Sequence, residues 1–304
     1  MKDMRNLAVA MFVALAIVLI PAGRRAQAGD KHKRDRSLLL ESRAGVRRAL
    51  NYLKEQQHED GSWRHDPAIT GLVVTAMMGS GEKKFSADSP PVRRGLEFIR
   101  KFARPNGGIY EEAYANYTTS ICVMALIEAG KPGDEKLIRK AKDYLLGLQA
   151  DEGEGFESED KQYGGWGYEK HHAREGMHRA DMSNTQLALE AVHSLQQAVE
   201  EDVPEEGAAA GGKTRTELCF GKATEFLEKC QNEDGGFIYR PGESKAGKNP
   251  QGQPRSYAGM TYAGLKSMIY AQVDRDDPRV QGAWDWIRRH WNLTRNPGLE
   301  QQGL

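Results

Sequence analysis

The sequence predicts an all-α fold, a double ring of alternating inner and outer helices, small or incomplete, with about nine core helices. Three observations predict it. A phrase of fixed parts returns along the chain, helices with one apolar stripe alternate with helices apolar nearly all round, and each pair recurs about every 45 residues.

The phrase first reads Ala49-Leu50-Asn51-Tyr52-Leu53, then Gln57, then Asp60-Gly61-Ser62-Trp63. It returns as Gly95-Leu96-Glu97-Phe98-Ile99 with Gly107-Gly108-Ile109-Tyr110, and as Ala141-Lys142-Asp143-Tyr144-Leu145 with Gln149 and Gly164-Gly165-Trp166. The closest copy is Ala223-Thr224-Glu225-Phe226-Leu227, Gln231, Asp234-Gly235-Gly236-Phe237, and a worn one is Ala283-Trp284-Asp285-Trp286-Ile287. Val46, Ala49, Leu50 and Leu53 fall at i, i+3, i+4 and i+7, one stripe of a helix. Glycine beside Asp or Asn ends that helix by accepting positive φ. The following aromatic can then fold back onto its own helix or the next, and the glutamine amide can bond backbone groups freed at the helix end. The unit is a helix closed by a buckle.

Between the buckled helices stand segments starting near Ile69, Thr118, Thr185 and Met260, the first two apolar on nearly every face. Arg47, Arg48, Lys54, Glu55, Arg139, Lys140 and Lys142 belong to the buckled set, which is therefore expected to meet water. The N-terminal ends of the inner helices should converge on one mouth, where free N–H groups and helix dipoles meet. Residues 151–165, 201–214 and 240–256, rich in Gly, Glu and Pro, read as loops on this frame, and the acidic run 151–160 as a solvated linker.

Lys2 and Arg5, an apolar run over 7–20, and Ala26-Gln27-Ala28 read as a signal peptide over 1–28. The expected organisation is then a basic linker over 29–43, one repeat domain over 44–295 and a disordered tail over 296–304, in a secreted or periplasmic protein with no membrane span in the mature chain. Lysine plus arginine number 43 and aspartate plus glutamate 43, which gives no polyanion-seeking charge and excludes nucleic acid as an expected partner. Three cysteines make no disulfide framework; Cys219 and Cys230 on one helix would lie about 16 Å apart.

The phrase resembles the Q-W motif of the terpenoid cyclase (squalene-hopene cyclase) and protein prenyltransferase superfamily over residues 44–291. The resemblance implies an α/α toroid. In squalene-hopene cyclases an Asp-x-Asp-Asp motif followed by threonine protonates an alkene through its middle aspartate. The matching stretch here is Asp181-Met182-Ser183-Asn184-Thr185: Asp181 and Thr185 are kept, but the donor position holds Ser183, and an alcohol cannot protonate an isolated double bond. Asp181 or Ser183 equally reads as a helix N-cap. Prenyltransferases hold zinc with Asp, Cys and His; here serine replaces the thiolate, and the stretch from Arg255 to Thr261 has no histidine. No cofactor is expected.

His171, His172 and His178 precede Asp181, and imidazoles with a carboxylate are common metal ligands, although this spacing fits no standard motif and also suits a surface loop. Tyr114, Tyr117, Tyr168, Tyr257 and Tyr262 lie near inner-helix starts and are candidate walls of a binding site, with Asp181 beside them. Two readings stay open: a non-catalytic toroid that binds an apolar small molecule or a protein, and a divergent enzyme, cyclase-like or polysaccharide lyase-like, using residues around His171–Asp181.

Overall fold

The computed structural model describes residues 36–169, 180–199 and 213–300, and among them the chain forms nine α-helices and no strand, only isolated bridges. The helices are α1 Arg36–Glu55, α2 Pro67–Gly79, α3 Pro90–Arg100, α4 Ala115–Ala129, α5 Glu135–Leu146, α6 Met182–Ala198, α7 Arg215–Cys230, α8 Ala258–Tyr270 and α9 Pro278–Arg289. Odd-numbered helices are the buckled class, even-numbered ones the apolar class. The described residues divide into two compact units: those up to Ala103 with Met124–Asp134, and Arg104–Val123 with those from Glu135 on.

In the first unit α1 runs to its buckle. Gln57 Nε2 donates to the carbonyls of Gly61 (2.8 Å) and Pro91 (2.8 Å), the first in its own turn and the second in α3. Trp63 folds back and donates its indole N–H to Leu53 O, in the last turn of α1, at 2.7 Å. Gly61 has φ +91°, and a Cβ there would stand 2.5 Å from Arg94 O, so both backbone conformation and close approach demand glycine. Asp66 caps α2 by accepting from Ile69 N, with Pro67 at the first position. Of the apolar stripe on α1, Leu50 is buried, while Val46 and Leu53 are partly covered and Ala49 is exposed. No described helix precedes α1 to cover that flank. Arg100 and Asp134 close the unit with a bidentate pair at 2.7 and 2.7 Å.

The second unit repeats the device. Gln149 Nε2 donates to Gly164 O and Cys219 O, and Gln231 Nε2 to Gly235 O and Arg279 O. Trp166 donates its indole N–H to Leu145 O at 2.9 Å. In both units a threonine one turn into the apolar helix takes the backbone N–H of the buckle residue: Thr70 from Trp63, Thr119 from Ile109, Thr185 from Trp166 and Thr261 from Phe237. The threonine hydroxyl thus ties each buckle to the helix that follows it.

Several expectations are corrected. Residues 36–43, read as linker, are the first turns of α1. The tail is ordered through residue 300: Ala258 N donates to Pro297 O, Gly259 N to Asn296 Oδ1, and Leu299 is buried, because the segment satisfies orphan donors at the start of α8. Lys142, expected to face water, is buried. Cys122, Cys219 and Cys230 are buried, and none of them is in a disulfide. The segment read as a signal peptide, most of residues 201–214 and residues 301–304 lie outside the described residues.

The acidic run is a docked loop instead of a solvated linker. Phe156 and Tyr163 are buried against Ala150, Lys222 Nζ binds Asp151 (2.8 Å) and Glu152 (2.6 Å), and Lys229 Nζ binds the carbonyls of Ser158 and Asp160. Lys222 pulls the Glu152 carboxyl from 4.5 down to about 2, and burial with Glu152 alongside pushes the Tyr163 hydroxyl up to about 12. A depressed carboxyl contributes stability that is full above its unfolded value and is lost as pH falls through its folded value. The loop should therefore loosen between pH 4.5 and about 2. A Tm-against-pH curve for Glu152→Gln is expected to be flatter across that window, and an unchanged slope would remove Glu152 as the cause.

Candidate functional site

Asp181 is the best-defined carboxylate at the start of an apolar helix. It is completely buried, in extended conformation, and caps α6: Oδ1 accepts from Ser183 N (2.9 Å) and Asn184 N (3.0 Å), and Oδ2 from Asn184 Nδ2 (2.9 Å). Three donors from its own helix turn hold it. Behind it, Asn116 Nδ2 donates to Gly167 O (2.9 Å) and Asn184 O (3.3 Å), joining the start of α4 to the start of α6.

Around this cap stand tyrosines. Burial and then the Asp181 carboxylate raise the Tyr168 and Tyr239 hydroxyls, and burial, Tyr239 and Asp181 raise that of Tyr257. All three are held neutral in the field of Asp181. Tyr114 meets Tyr168 edge to face at 5.2 Å between centroids. Their rings are the open side of the cluster, 58% and 41% exposed, whereas Tyr257 is 3% exposed. Tyr239 lies under two cations, Lys245 Nζ at 4.1 Å and Arg240 at 4.9 Å from its centroid. Its main chain is fixed to the cap, since Met182 N donates to Tyr239 O at 3.0 Å.

Of the residues singled out in the sequence, Tyr114, Tyr168, Asp181 and Tyr257 thus gather at one place. Tyr117 is half-buried at the start of α4, and Tyr262 is 43% exposed on α8, its hydroxyl raised by burial alone. Tyr239 was missed; it follows the fourth buckle by two residues, and nothing local marks it. His171, His172 and His178 lie outside the described residues, and among the described ones no group of three or more His, Cys, Asp or Glu is placed to hold a metal ion. Cys230, buried near Asp181, has its thiol pushed well above the ordinary range, chiefly by burial, which makes it inert rather than nucleophilic.

Two further polar clusters bear on the chemistry. On α6, the buried Glu190 accepts from Gln186 Nε2 (2.9 Å), Lys266 Nζ (2.8 Å) and Tyr270 OH (2.9 Å), tying α6 to α8. In the first unit Ser62, His65 and Asp60 have the composition of a hydrolytic triad. The geometry is wrong for one: the buried Ser62 hydroxyl donates to Asp60 at 2.6 Å, and His65 Nδ1 lies 3.4 Å from Ser62 Oγ but 2.9 Å from Asp60 Oδ2, so serine and imidazole share the carboxylate in place of forming a relay. Asp60 sits far below the usual carboxylate range, mainly because of those Ser62 bonds.

The family model for the squalene-hopene cyclase C-terminal domain matches residues 64–211. No curated protein matches the chain. A protein from Actinoplanes superposes with a TM-score of 0.54 at 16% identity, covering 92% of this chain and 70% of that one. A variant of the type II terpene cyclase MstE from Scytonema, in complex with its product merosterolic acid A, superposes with a TM-score of 0.50 at 16% identity, covering 90% of this chain and 66% of that one. At this identity the likeness is one of fold, an α/α toroid, and the chain spans about two thirds of the Scytonema cyclase chain. Among the described residues no helix is long and apolar enough to cross a membrane.

Proposed function

We propose that this chain, which belongs to the terpenoid cyclase-like α/α-toroid superfamily, is an exported binding protein for an apolar small molecule or a protein partner, without cyclase or prenyltransferase chemistry. The observation that carries this reading is the use made of Asp181. Its lone pairs are taken by Ser183 N, Asn184 N and Asn184 Nδ2, so it serves as a cap, and the adjacent position where a cyclase carries its proton donor is an alcohol, Ser183. Neither group can protonate an alkene. Neutral tyrosine rings at the same place favour binding, since they present apolar faces with hydroxyls that stay protonated.

The Scytonema relative is seen with merosterolic acid A, so terpenoids are the first ligands to test. Incubation with squalene is expected to give no cyclic product. Geranylgeraniol is expected to quench intrinsic fluorescence saturably, and Tyr114→Ala with Tyr168→Ala to weaken it about ten-fold. Detection of hopene, or stoichiometric metal lost when His171, His172 and His178 become alanine, would replace this reading with that of a divergent enzyme.

A further inference from the structure

We infer a second binding site, for a neutral saccharide, in the cleft between the fourth buckle, the turn over 249–256 and the segment that follows α9. Its volume is about 690 Å³, the size of small-molecule sites. Every residue lining it belongs to the second unit, and the site does not depend on the tyrosine cluster.

The floor is a pair of stacked rings. Trp286 is buried, and the exposed His290 lies on it with centroids 4.0 Å apart and planes 23° apart. His290 Nδ1 donates to Trp286 O at 2.8 Å, which fixes the ring and leaves Nε2 for another partner. Asp234 fixes the indole from below: Oδ2 accepts from Trp286 Nε1 (3.0 Å), and Oδ1 from Gly236 N (2.9 Å) and Ser256 Oγ (2.8 Å). Asn232 Nδ2 completes the lattice by donating to Ser256 Oγ and Pro254 O. A platform held this firmly loses little entropy on binding.

The walls mix donors and acceptors: the Arg255 guanidinium and Gln253 amide against the carboxylates of Glu233 and Glu300. Hydrogen bonds from backbone N–H groups, first that of Gly298, lower the Glu300 carboxyl, with Arg255 and Arg295 adding to the effect, so it is an acceptor at neutral pH. The charges offset one another, Glu233, Asp234 and Glu300 against Arg255 in the lining and Arg289 and Arg295 beside it, so the cleft selects neither an anion nor a cation. So polar a lining equally disfavours a hydrocarbon, which would strand its hydrogen-bonding groups. A pyranose suits it on both counts. Each hydroxyl both gives and takes a hydrogen bond, and the ring's C–H face stacks on an aromatic platform.

The test is calorimetric titration of the full chain with cellohexaose, maltohexaose and chitohexaose. One-site binding of at least one is expected, with Kd in roughly the micromolar to millimolar range. His290→Ala and Arg255→Gln should each weaken it about ten-fold or more at unchanged Tm, whereas Tyr168→Ala should leave it intact. Loss of terpenoid binding with saccharide binding kept would sink only the tyrosine site. Failure of all three sugars to bind, binding that survives both cleft substitutions, or tighter binding of a hexalysine peptide would overturn the saccharide site.

Discussion

Lys266→Met is expected to destabilise the protein by about 3–5 kcal/mol, seen as a fall in Tm of roughly 10 °C. Glu190 is 5% exposed and takes three hydrogen bonds, of which only that from Lys266, at 2.8 Å, brings a positive charge. The lysine side chain is itself only 14% exposed, so the pair is a buried one. Removing the lysine leaves a carboxylate that has lost its water and its counter-charge. Removing both charges, with Glu190→Leu and Lys266→Met together, replaces the pair by packing and should recover most of the loss, because a buried pair costs nearly as much desolvation as it returns in attraction. Thermal melts of the three proteins decide it. A loss in the double variant no smaller than in the single one would mean that the stranded carboxylate costs nothing because water reaches it.

That pair shows where sequence reading stops. Glu190 and Lys266 are 76 positions apart, and Lys222 and Asp151 are 71 apart, so nothing in either neighbourhood announces the partner. The acidic run over 151–160 looked like a solvated segment because its neutralising lysines sit on α7. The buckles were legible for the opposite reason: in the first and fourth copies glutamine, glycine and ring lie within one short stretch, and their chemistry is local. Gln57 and Gln231 each bond the glycine 4 residues on, as their spacing suggests, and Gln149 bonds Gly164, 15 residues on, but each also reaches a carbonyl on the next buckled helix, which spacing does not reveal.

The threonine tie is an intermediate case. Thr70, Thr185 and Thr261 each fall four residues after the caps Asp66, Asp181 and Tyr257, a constant offset visible in the sequence. Their distances from the buckle residues they bind vary from 7 to 24 residues, which hides the role. Asp181 was legible as a cap and as a motif remnant alike. Only the geometry shows both its oxygens engaged by its own helix turn.

Trp166→Ala is expected to cost about 3–5 kcal/mol, the upper range for deleting a core aromatic. The ring is completely buried and its N–H donates at 2.9 Å to Leu145 O, a carbonyl in the last turn of α5 that also accepts from Leu148 N at 3.2 Å. The two contributions can be separated. Trp166→Phe keeps most of the packing and removes one of the two hydrogen bonds to that carbonyl, a loss of about 0.5–1.5 kcal/mol. Phe237, equally buried, closes the fourth buckle with no such donor, so Phe237→Ala should show the packing loss by itself. Trp63, which bonds Leu53 O at 2.7 Å, should follow Trp166 in both substitutions. Denaturant melts compared at constant m-value give the losses directly. Unchanged midpoints for Trp63→Ala and Phe237→Ala would show that these rings do not close the helices. The repeat would then be held by its glutamine and threonine bonds alone, and Gln231→Ala would become the more damaging change.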